Sequence, residues 1–202
     1  MSHYYDSNPQ IESKIREISF EVNGLQMKLK TDNGVFSKNR VDEGSLTLLK
    51  VLLPLKLTGE ILDLGCGYGT IGLTIAMSSP TARLTLADIN SRALALCERN
   101  AKELGLSQRV TCLQSDIFEN IEGRYDSLVL NPPIRAGKKV TYAMYEQSRD
   151  YLIDGGSLFI VIRKAQGALS AADFIKNVFG NCTLLKRHKG YYVYQAVKQL
   201  SK

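Results

Sequence analysis

The sequence predicts a single α/β domain built on a doubly wound, mostly parallel β-sheet. Three observations support this prediction. Short apolar runs alternate with helical patterns from residue 60 onward, a glycine cluster follows the first of these runs, and two C-terminal strand patterns are joined by only three residues. A chain of 202 residues suits one domain, which we divide into an N-terminal extension over 1–56 and a core over 57–202.

The N-terminal extension is predicted to hold a β-hairpin followed by a helix. Apolar and polar residues alternate over 17–22 and 25–30, and the Asn23-Gly24 dipeptide between them favours a type I′ turn. After a polar loop, a helical pattern runs over 45–53, and Pro54 is expected to stop it.

The core alternates strands with helices. Its strand patterns, several of them nearly continuous apolar runs typical of strands covered on both faces, lie at 61–64, 83–87, 110–114, 127–130 and 157–162. Helical patterns lie near 70–78, 91–104, 140–152 and 170–179. The helix over 91–104 is expected to have Ser91 as its N-cap and Gly105 just beyond its end. This order implies parallel strands with right-handed crossovers.

The C-terminal end breaks the parallel pattern. Strand patterns over 182–187 and 191–197 are separated only by residues 188–190, whereas a parallel crossover needs about a dozen residues or more. The last strand is therefore predicted to run antiparallel.

The composition excludes several classes of protein. No run approaches the ~20 apolar residues of a membrane span, and the polar N-terminus lacks a signal-peptide pattern, so we expect a cytoplasmic protein. The four cysteines form no CxxC pair and only two histidines are present, which predicts free thiols and no metal site. A net charge of +6 permits an anionic partner without requiring one.

The most informative segment is a glycine-rich loop that directly follows the first core strand. The sequence EILDLGCGYGTIG over 60–72 places glycines where the chain must turn tightly and where a ligand can approach the backbone without meeting a Cβ atom. In open α/β sheets, ligands bind beyond the carboxyl ends of the strands. We therefore expect a ligand at this loop.

Two registers of the loop imply two kinds of ligand. The pattern GxGxxG over 67–72 fits a nicotinamide dinucleotide site, with Asp88 ~20 residues beyond its start for a ribose contact. The alternative pattern, DxGxGxG, begins at Asp63. We favour it because Gly65 directly follows the strand, and in that position the dinucleotide pattern would need a glycine where Thr70 stands. A carboxylate on the strand also suits a cationic sulfonium ligand with an ammonium group.

The favoured register resembles the first motif of class I S-adenosylmethionine-dependent methyltransferases, and the resemblance covers almost the whole chain. It implies a Rossmann-like methyltransferase sheet with an antiparallel C-terminal strand, as predicted above. Asp88 matches the acid that holds the cofactor ribose, and Asp116 matches the position that contacts the adenine amino group. The cofactor-binding residues implied in this way are Phe36, Asp63, Gly65, Cys66, Gly67, Asp88, Ile89, Asp116, Ile117 and Asn131.

The strand over 127–130 runs directly into Asn131-Pro132-Pro133, which we predict to be the catalytic loop. The prolines stiffen the backbone. The Asn131 side-chain oxygen and the Pro132 carbonyl can accept both hydrogens of an exocyclic amino group and aim its lone pair at the methyl group. Methyltransferases with this pattern act on amino or amide nitrogens of adenine, guanine or glutamine. Methylation of pyrimidine C5 needs a cysteine nucleophile, and no Pro-Cys pair is present.

Basic residues near this loop predict an RNA substrate. They follow the catalytic loop or end the fifth core strand, and they are Arg135, Lys138, Lys139, Arg163 and Lys164. Because the carboxyl ends of parallel strands share one rim, we expect these side chains to surround the catalytic loop and contact phosphates.

Further patterns resemble one methyltransferase family. GVFS over 34–37, VDxGSxxLL over 41–49, the NPP loop and the KxxG turn over 164–167 resemble the small-subunit ribosomal RNA methyltransferase C family, which makes N2-methylguanine. The resemblance implies that Phe36 and Ser37 lie beside the methionine end of the cofactor. Ile134 stands where that family usually has an aromatic that stacks on the target base. Either Phe36, Tyr142 or Tyr145 stacks on the base instead, or the base is held differently. Better-known members of that family also carry a second, inactive methyltransferase-like half, which a chain of this length is expected to lack.

The sequence thus predicts transfer of a methyl group from S-adenosylmethionine to guanine N2 of small-subunit ribosomal RNA. We expect a monomer or weak homodimer that acts on ribosomal RNA or the small subunit, without a metal or a membrane. Two alternatives stay open: methylation of adenine N6 or protein glutamine N5, and an RNA-binding assembly factor without turnover. A nicotinamide-dependent dehydrogenase is disfavoured by the glycine register.

Overall fold

The computed structural model describes residues 12–200, apart from the side chain of Arg135. Within this range the strands are β1 (Arg16–Val22), β2 (Leu25–Thr31), β3 (Glu60–Leu64), β4 (Arg83–Asp88), β5 (Val110–Gln114), β6 (Tyr125–Leu130), β7 (Leu152–Arg163), β8 (Thr183–His188) and β9 (Tyr191–Val197). The helices are α1 (Glu43–Leu55), α2 (Thr70–Ser78), α3 (Ser91–Glu103), α4 (Lys138–Tyr151) and α5 (Ala168–Phe179). Short 3-10 turns occupy Ile134–Ala136 and Lys164–Gln166.

The main sheet has seven strands in the order β5-β4-β3-β6-β7-β9-β8. Strands β3 to β7 are parallel, whereas β9 is antiparallel to both β7 and β8, which confirms the predicted doubly wound sheet and its antiparallel end. The chain leaves β3 toward one edge and returns at β6 to fill the other. The carboxyl ends of β3 and β6 therefore form the switch point where ligands bind in such sheets.

Two apolar clusters cover the two faces of the sheet. Alternate residues of β3 separate between them: Ile61 packs with the cluster that includes α1, α2, α3 and the hairpin, and Leu62 packs with the cluster that includes α4 and α5. Both side chains are fully buried, and burying a side chain of this size is worth roughly 1.5–3 kcal/mol. Burial on both faces explains why these strands are apolar runs without alternation.

The N-terminal hairpin forms the predicted turn, with φ of 49° at Asn23 and 80° at Gly24. Asn100 of α3 ties the hairpin to the core, because its Oδ1 accepts from the backbone N–H of Lys30 and its Nδ2 donates to the carbonyls of Lys30 and Tyr68. This contact fixes the segment after β2, which carries Phe36 toward the rim of the sheet.

Two helix boundaries differ from prediction. Pro54 does not stop α1, because it lies in the last turn and its missing N–H removes only the hydrogen bond to the carbonyl of Lys50. Asn23 Nδ2 lies 3.5 Å from that oxygen. Asn90, and not Ser91, caps α3, because the Asn90 side chain accepts from the N–H groups of the second and third residues after it. The predicted glycine end at Gly105 is confirmed, with φ of 71°.

Strand β7 begins five residues before its predicted start at 157. The segment includes Gly155 and Gly156, which weaken a strand pattern in sequence. Gly155 N–H donates to the carbonyl of Lys198, and Lys198 N–H donates to the carbonyl of Gly156, so backbone pairing continues through the glycines. None of the helices between residues 12 and 200 is long and apolar enough to cross a membrane.

Candidate active site

A cavity of about 360 Å³ opens at the carboxyl ends of the central strands. The loops after β3, β4, β5 and β6 line it, together with residues from the segment before α1 and from the start of β9. Of the cofactor-binding residues predicted from sequence, it brings together Phe36, Gly65, Cys66, Gly67, Asp88, Ile89, Asp116, Ile117 and Asn131. This volume falls within the range of small-molecule sites, ~300–1,000 Å³.

The glycine loop presents bare backbone to this cavity. Gly65 and Cys66 both donate their N–H groups to the carbonyl of Ala87, at 2.7 and 3.0 Å, which holds the loop against β4. Gly67 lines the cavity with φ of 58°, and a Cβ atom added there would meet nothing within 4 Å. The cradle therefore has the shape that a closely held cofactor needs, and a side chain at Gly67 would enter it.

The glycines at the other end of the loop pack against protein. A Cβ atom at Gly69 would lie 2.6 Å from Leu73 Cδ1 and 2.8 Å from Cys97 Sγ. One at Gly72 would lie 2.7 Å from Leu86 Cδ2. These two glycines serve close packing between loop, helix and strand, and neither lines the cavity. The arrangement agrees with the register that begins at Asp63.

Asp63 lies behind the cavity, and its side chain is only 1% exposed. Its Oδ2 accepts from the backbone N–H of Gly72 at 2.8 Å, and it is not among the cavity-lining residues. Burial raises the pKa of this carboxyl to about 7, against the opposing effect of the Gly72 N–H. Asp63 thus braces the start of α2, whereas the sequence led us to expect it at the cationic end of the cofactor.

Asp88 joins the glycine loop to the end of β4. Its Oδ2 accepts from Gly67 N–H and its Oδ1 from Asn90 N–H, each at 2.8 Å. Burial raises the pKa of this carboxyl, while these N–H groups act in the opposite direction. Each carboxylate oxygen has a second lone pair, so the side chain can also accept from the hydroxyls of a bound ribose.

The loop after β5 supplies the wall expected near the adenine ring. Asp116 and Ile117 line the cavity, and Ile117 has φ of 49°, a conformation that β-branched residues rarely adopt. Ser115 supports this turn, because its hydroxyl donates to the carbonyl of Ile117 and accepts from the N–H of Asn120. Strain of this kind costs about 1–3 kcal/mol and is typical of binding sites.

Cys66 lines the cavity but is 7% exposed, and burial raises the pKa of its thiol to about 12. The thiol is therefore protonated near neutral pH and is not a nucleophile. This agrees with the exclusion of pyrimidine C5 chemistry. Among residues 12–200 no group of three or more His, Cys, Asp or Glu side chains could hold a metal ion.

The loop over Asn131-Pro132-Pro133, predicted to be catalytic, meets the segment before α1. Asn131 Nδ2 donates to Asp42 Oδ1 at 3.1 Å and to Ser45 Oγ at 3.0 Å. Pro132 is buried, Pro133 is half-buried, and both line the cavity beside Asn131. Asp42 and Ser45 also line it, and the sequence had indicated them only as part of the VDxGS pattern.

The aromatic residues divide differently from expectation. Phe36 lines the cavity and is 56% exposed. Tyr145 is fully buried and Tyr142 packs on Phe174, with ring centroids 4.4 Å apart, so neither lines this cavity. Tyr191, which the sequence reasoning missed, does line it. The antiparallel direction of β9 was the available signal, because it brings the start of β9 to the rim where β7 ends.

Four of the predicted basic residues, Lys138, Lys139, Arg163 and Lys164, lie on this rim, outside the cavity lining. Lys138 and Lys139 begin α4, and Lys164 follows β7, all with exposed side chains. Lys164 N–H donates to the carbonyl of Gly190, next to Tyr191. The exposed Arg163 guanidinium lies 5.9 Å from the Tyr191 ring centroid, and Arg135 lies in the 3-10 turn after the catalytic loop. That these exposed groups contact phosphates stays a prediction.

The doubly wound sheet, the bare glycine cradle and the acids at the ends of β4 and β5 define an S-adenosylmethionine-dependent methyltransferase. The chain belongs to the methyltransferase small domain family, whose model matches residues 26–195.

Several relatives are similar over most of the chain. An uncharacterized protein, YbxB of Bacillus subtilis, is 39% identical over 97% of this chain and 98% of its own length. Ribosomal RNA small subunit methyltransferase C of Mannheimia succiniciproducens is 36% identical over 81% of this chain. The chain spans about half the length of the methyltransferase C relatives, 49% in that case.

A solved structure agrees with this relationship. The 16S rRNA N2 methyltransferase RsmC of T. thermophilus, in complex with AdoMet and guanosine, superposes with a TM-score of 0.83 at 27% identity. The match covers 96% of this chain and 53% of that protein.

Proposed function

We propose that this methyltransferase modifies the exocyclic amino group N2 of a guanine in small-subunit ribosomal RNA, as naked RNA or within the subunit. The observation that carries the proposal is the Asn131 amide at the cavity wall. Both hydrogens of its Nδ2 have acceptors in Asp42 and Ser45, so the Asn131 oxygen is the atom left to accept from a substrate. The names of the methyltransferase C relatives and of the RsmC structure support guanine in ribosomal RNA.

The chemistry requires orientation more than a strong base. The lone pair of an exocyclic amine is delocalised into the ring, and acceptance of its two N–H hydrogens by Asn131 Oδ1 and the Pro132 carbonyl favours a pyramidal nitrogen. When bound, S-adenosylmethionine would be held by the glycine loop, Asp88 and Asp116, and it would supply an electrophilic methyl group whose bonding electron pair remains with the departing sulfur. Positive charge develops on N2, the two oxygens stabilise it, and one N2 proton then leaves to water.

The surroundings of the catalytic loop suit a base taken out of its helix. Phe36 and Tyr191 offer ring surfaces on the cavity wall, and base–aromatic stacking is worth about 1–3 kcal/mol. A guanine must be unpaired or extruded to bring its N2 to Asn131 in this cavity. Lys138, Lys139 and Lys164 on the rim would neutralise phosphates of the flanking nucleotides. We propose the cytoplasm as its compartment, since the cysteines are free thiols and ribosomal subunits are the proposed substrate.

Transfer of tritium from methyl-labelled S-adenosylmethionine tests this proposal. Small subunits from unmodified ribosomes, naked ribosomal RNA, DNA and protein serve as parallel acceptors, and labelled RNA is digested to nucleosides. We expect label in N2-methylguanosine. Label in N6-methyladenosine or in protein would overturn the substrate and favour the adenine or glutamine alternatives. No label with any acceptor, despite measurable cofactor binding, would favour an assembly factor.

Replacement of the catalytic asparagine tests the assignment of the site. Asn131→Ala should still bind S-adenosylmethionine measurably, since the glycine cradle and Asp88 are untouched. Its turnover should fall by ~10²-fold or more, as for a lost orienting contact. Wild-type turnover in this variant would refute the mechanism.

A further inference from the structure

We propose that Asp42 and Ser45 are positioning residues for methyl transfer, because they fix which end of the Asn131 amide faces the substrate. This inference rests on the proposed function, in which Asn131 Oδ1 accepts from the nucleophile. An asparagine side chain has nearly the same shape in its two amide orientations, but only one presents an acceptor to an amino group. The amino group of the substrate needs the orientation in which the Asn131 oxygen faces it, and the surrounding protein must select that orientation.

Asp42 selects the orientation by charge. Its Oδ1 lies 3.1 Å from Asn131 Nδ2, and a carboxylate can only accept hydrogen bonds. Rotation of the amide by 180° would place the Asn131 oxygen against the carboxylate and leave two acceptors facing one another. Ser45 Oγ, at 3.0 Å, takes the second Nδ2 hydrogen. The pair therefore saturates the donor end of the amide and turns its acceptor end away from α1.

Asp42 is itself held in place by the helix that it caps. The same Oδ1 accepts from the backbone N–H of Ser45 at 2.9 Å, at the N-terminus of α1. Gly44 directly precedes Ser45, and a Cβ atom there would lie 3.1 Å from Tyr191 Cε1, so the Tyr191 ring packs directly on this turn. Glu43, which lies between Asp42 and Gly44, pairs with Lys189 Nζ at 3.1 Å. The first turn of α1 is thus fixed to the turn between β8 and β9.

The carboxylate also strengthens Asn131 as an acceptor. A negative charge bound to the N–H end of an amide polarises it and increases electron density on its oxygen, and hydrogen bonds in such a chain reinforce one another. Positive charge develops on the nucleophile during methyl transfer, so this polarisation favours the transition state over the ground state. Loss of the Asp42 contact should therefore lower kcat more than it raises KM.

The test separates positioning from helix capping. Serine is a good N-cap, so Asp42→Ser keeps an oxygen on the Ser45 N–H while withdrawing the charge and shortening the reach toward Asn131. Ser45→Ala removes the other acceptor and leaves the Asp42 cap intact. Asp126→Ser is the matched control, because Asp126 accepts from the backbone N–H of Glu60 at the opposite end of β3.

We expect kcat to fall about tenfold or more in Asp42→Ser and Ser45→Ala, with KM for RNA and cofactor affinity within about threefold of wild type. NMR of the Asn131 side-chain amide, recorded without RNA, should show shifted and faster-exchanging Nδ2 hydrogens in both variants. Asp126→Ser should match wild type in every readout. Thermal melts identify any variant that fails to fold, and Ser45→Ala keeps the test valid if Asp42→Ser does not.

An unchanged kcat in both variants, together with an inactive Asn131→Ala, would overturn this inference alone. An unchanged Asn131 amide signal would overturn it as well, since the signal does not depend on the substrate. Wild-type turnover in Asn131→Ala would instead refute the proposed function. The two failures are therefore distinguishable.

Discussion

Alanine substitutions at Gly67 and Gly69 probe which glycines of the loop face the cofactor. Gly67 has φ of 58°, and a Cβ atom there would project into open space at the cavity. The left-handed backbone costs an alanine about 1–2 kcal/mol of stability. The added methyl group also occupies the space into which the cofactor must fit. We expect S-adenosylmethionine affinity to fall by about tenfold or more, which corresponds to ~1.4 kcal/mol or more of binding free energy.

Gly69 should show the reverse balance of effects. Its φ is 94°, and a Cβ atom would lie 2.6 Å from Leu73 Cδ1 and 2.8 Å from Cys97 Sγ, both inside the protein. Overpacking adds about 1–3 kcal/mol to the backbone cost of about 1–2 kcal/mol, so the free energy of unfolding should fall by roughly 2–5 kcal/mol. For a chain of this size each kcal/mol lowers Tm by about 2–4 °C. Cofactor affinity in the folded protein should change little.

Calorimetric titration with S-adenosylmethionine at a temperature where both variants are folded, together with thermal melts without ligand, measures the two effects separately. The dinucleotide register would place Gly69 against the ligand and give the opposite ranking. If Gly69→Ala weakens binding more than Gly67→Ala while lowering Tm less, the assignment of the loop is wrong.

Substitutions at three further positions test the acids and the aromatic wall. The pKa of Asp63 is raised from 3.8 to about 7, so its contribution to stability is fully present below pH 3.8 and is lost as the pH rises through about 7. Asp63→Asn can still accept from Gly72 N–H but cannot ionise, so the free energy of unfolding measured in urea should depend less on pH. An unchanged pH dependence would show that ionisation of Asp63 is not its source. Asp88→Ala removes the charge-assisted hydrogen bonds to the N–H groups of Gly67 and Asn90, each worth about 1.5–3 kcal/mol, together with the proposed acceptor for the ribose hydroxyls. Titration should therefore detect no cofactor binding, and wild-type affinity would refute the role of Asp88. Tyr191→Leu removes base stacking worth about 1–3 kcal/mol and should lower kcat/KM for RNA accordingly, whereas Tyr191→Phe keeps the ring and should keep kcat/KM. Equal losses in the two variants would exclude stacking.

Much of the fold followed from the sequence because its signals are local. Apolar runs, glycine turns and the short link over 188–190 lie within a few residues of the structure that they determine, and the structure confirms them. The errors at Pro54 and Ser91 concern single helix ends. There, a proline in the last turn loses one backbone bond only, and the better-placed cap was the preceding Asn90.

The residues that line the cavity follow less directly from the sequence, because the direction of a side chain and its burial depend on packing. Asp63 and Asp88 both follow apolar strand residues, yet only Asp88 reaches the cavity, while Asp63 turns under the loop to Gly72. Tyr142 and Tyr145 follow the catalytic loop closely in sequence but pack into the face covered by α4 and α5. Tyr191 reaches the cavity from 60 residues beyond Asn131, where the direction of β9 places it.

The sequence alone determined the sheet, the antiparallel end, the glycine register and the NPP loop, because each is encoded in a continuous stretch of chain. Only the tertiary structure decided how Asn131 is oriented. Its partners Asp42 and Ser45 lie 89 and 86 residues away along the chain, on a helix start that has no local pattern linking it to the loop. The packing of α1 against the sheet brings these groups within hydrogen-bonding distance, and a contact between such distant segments exists only once the core that fixes both of them has formed.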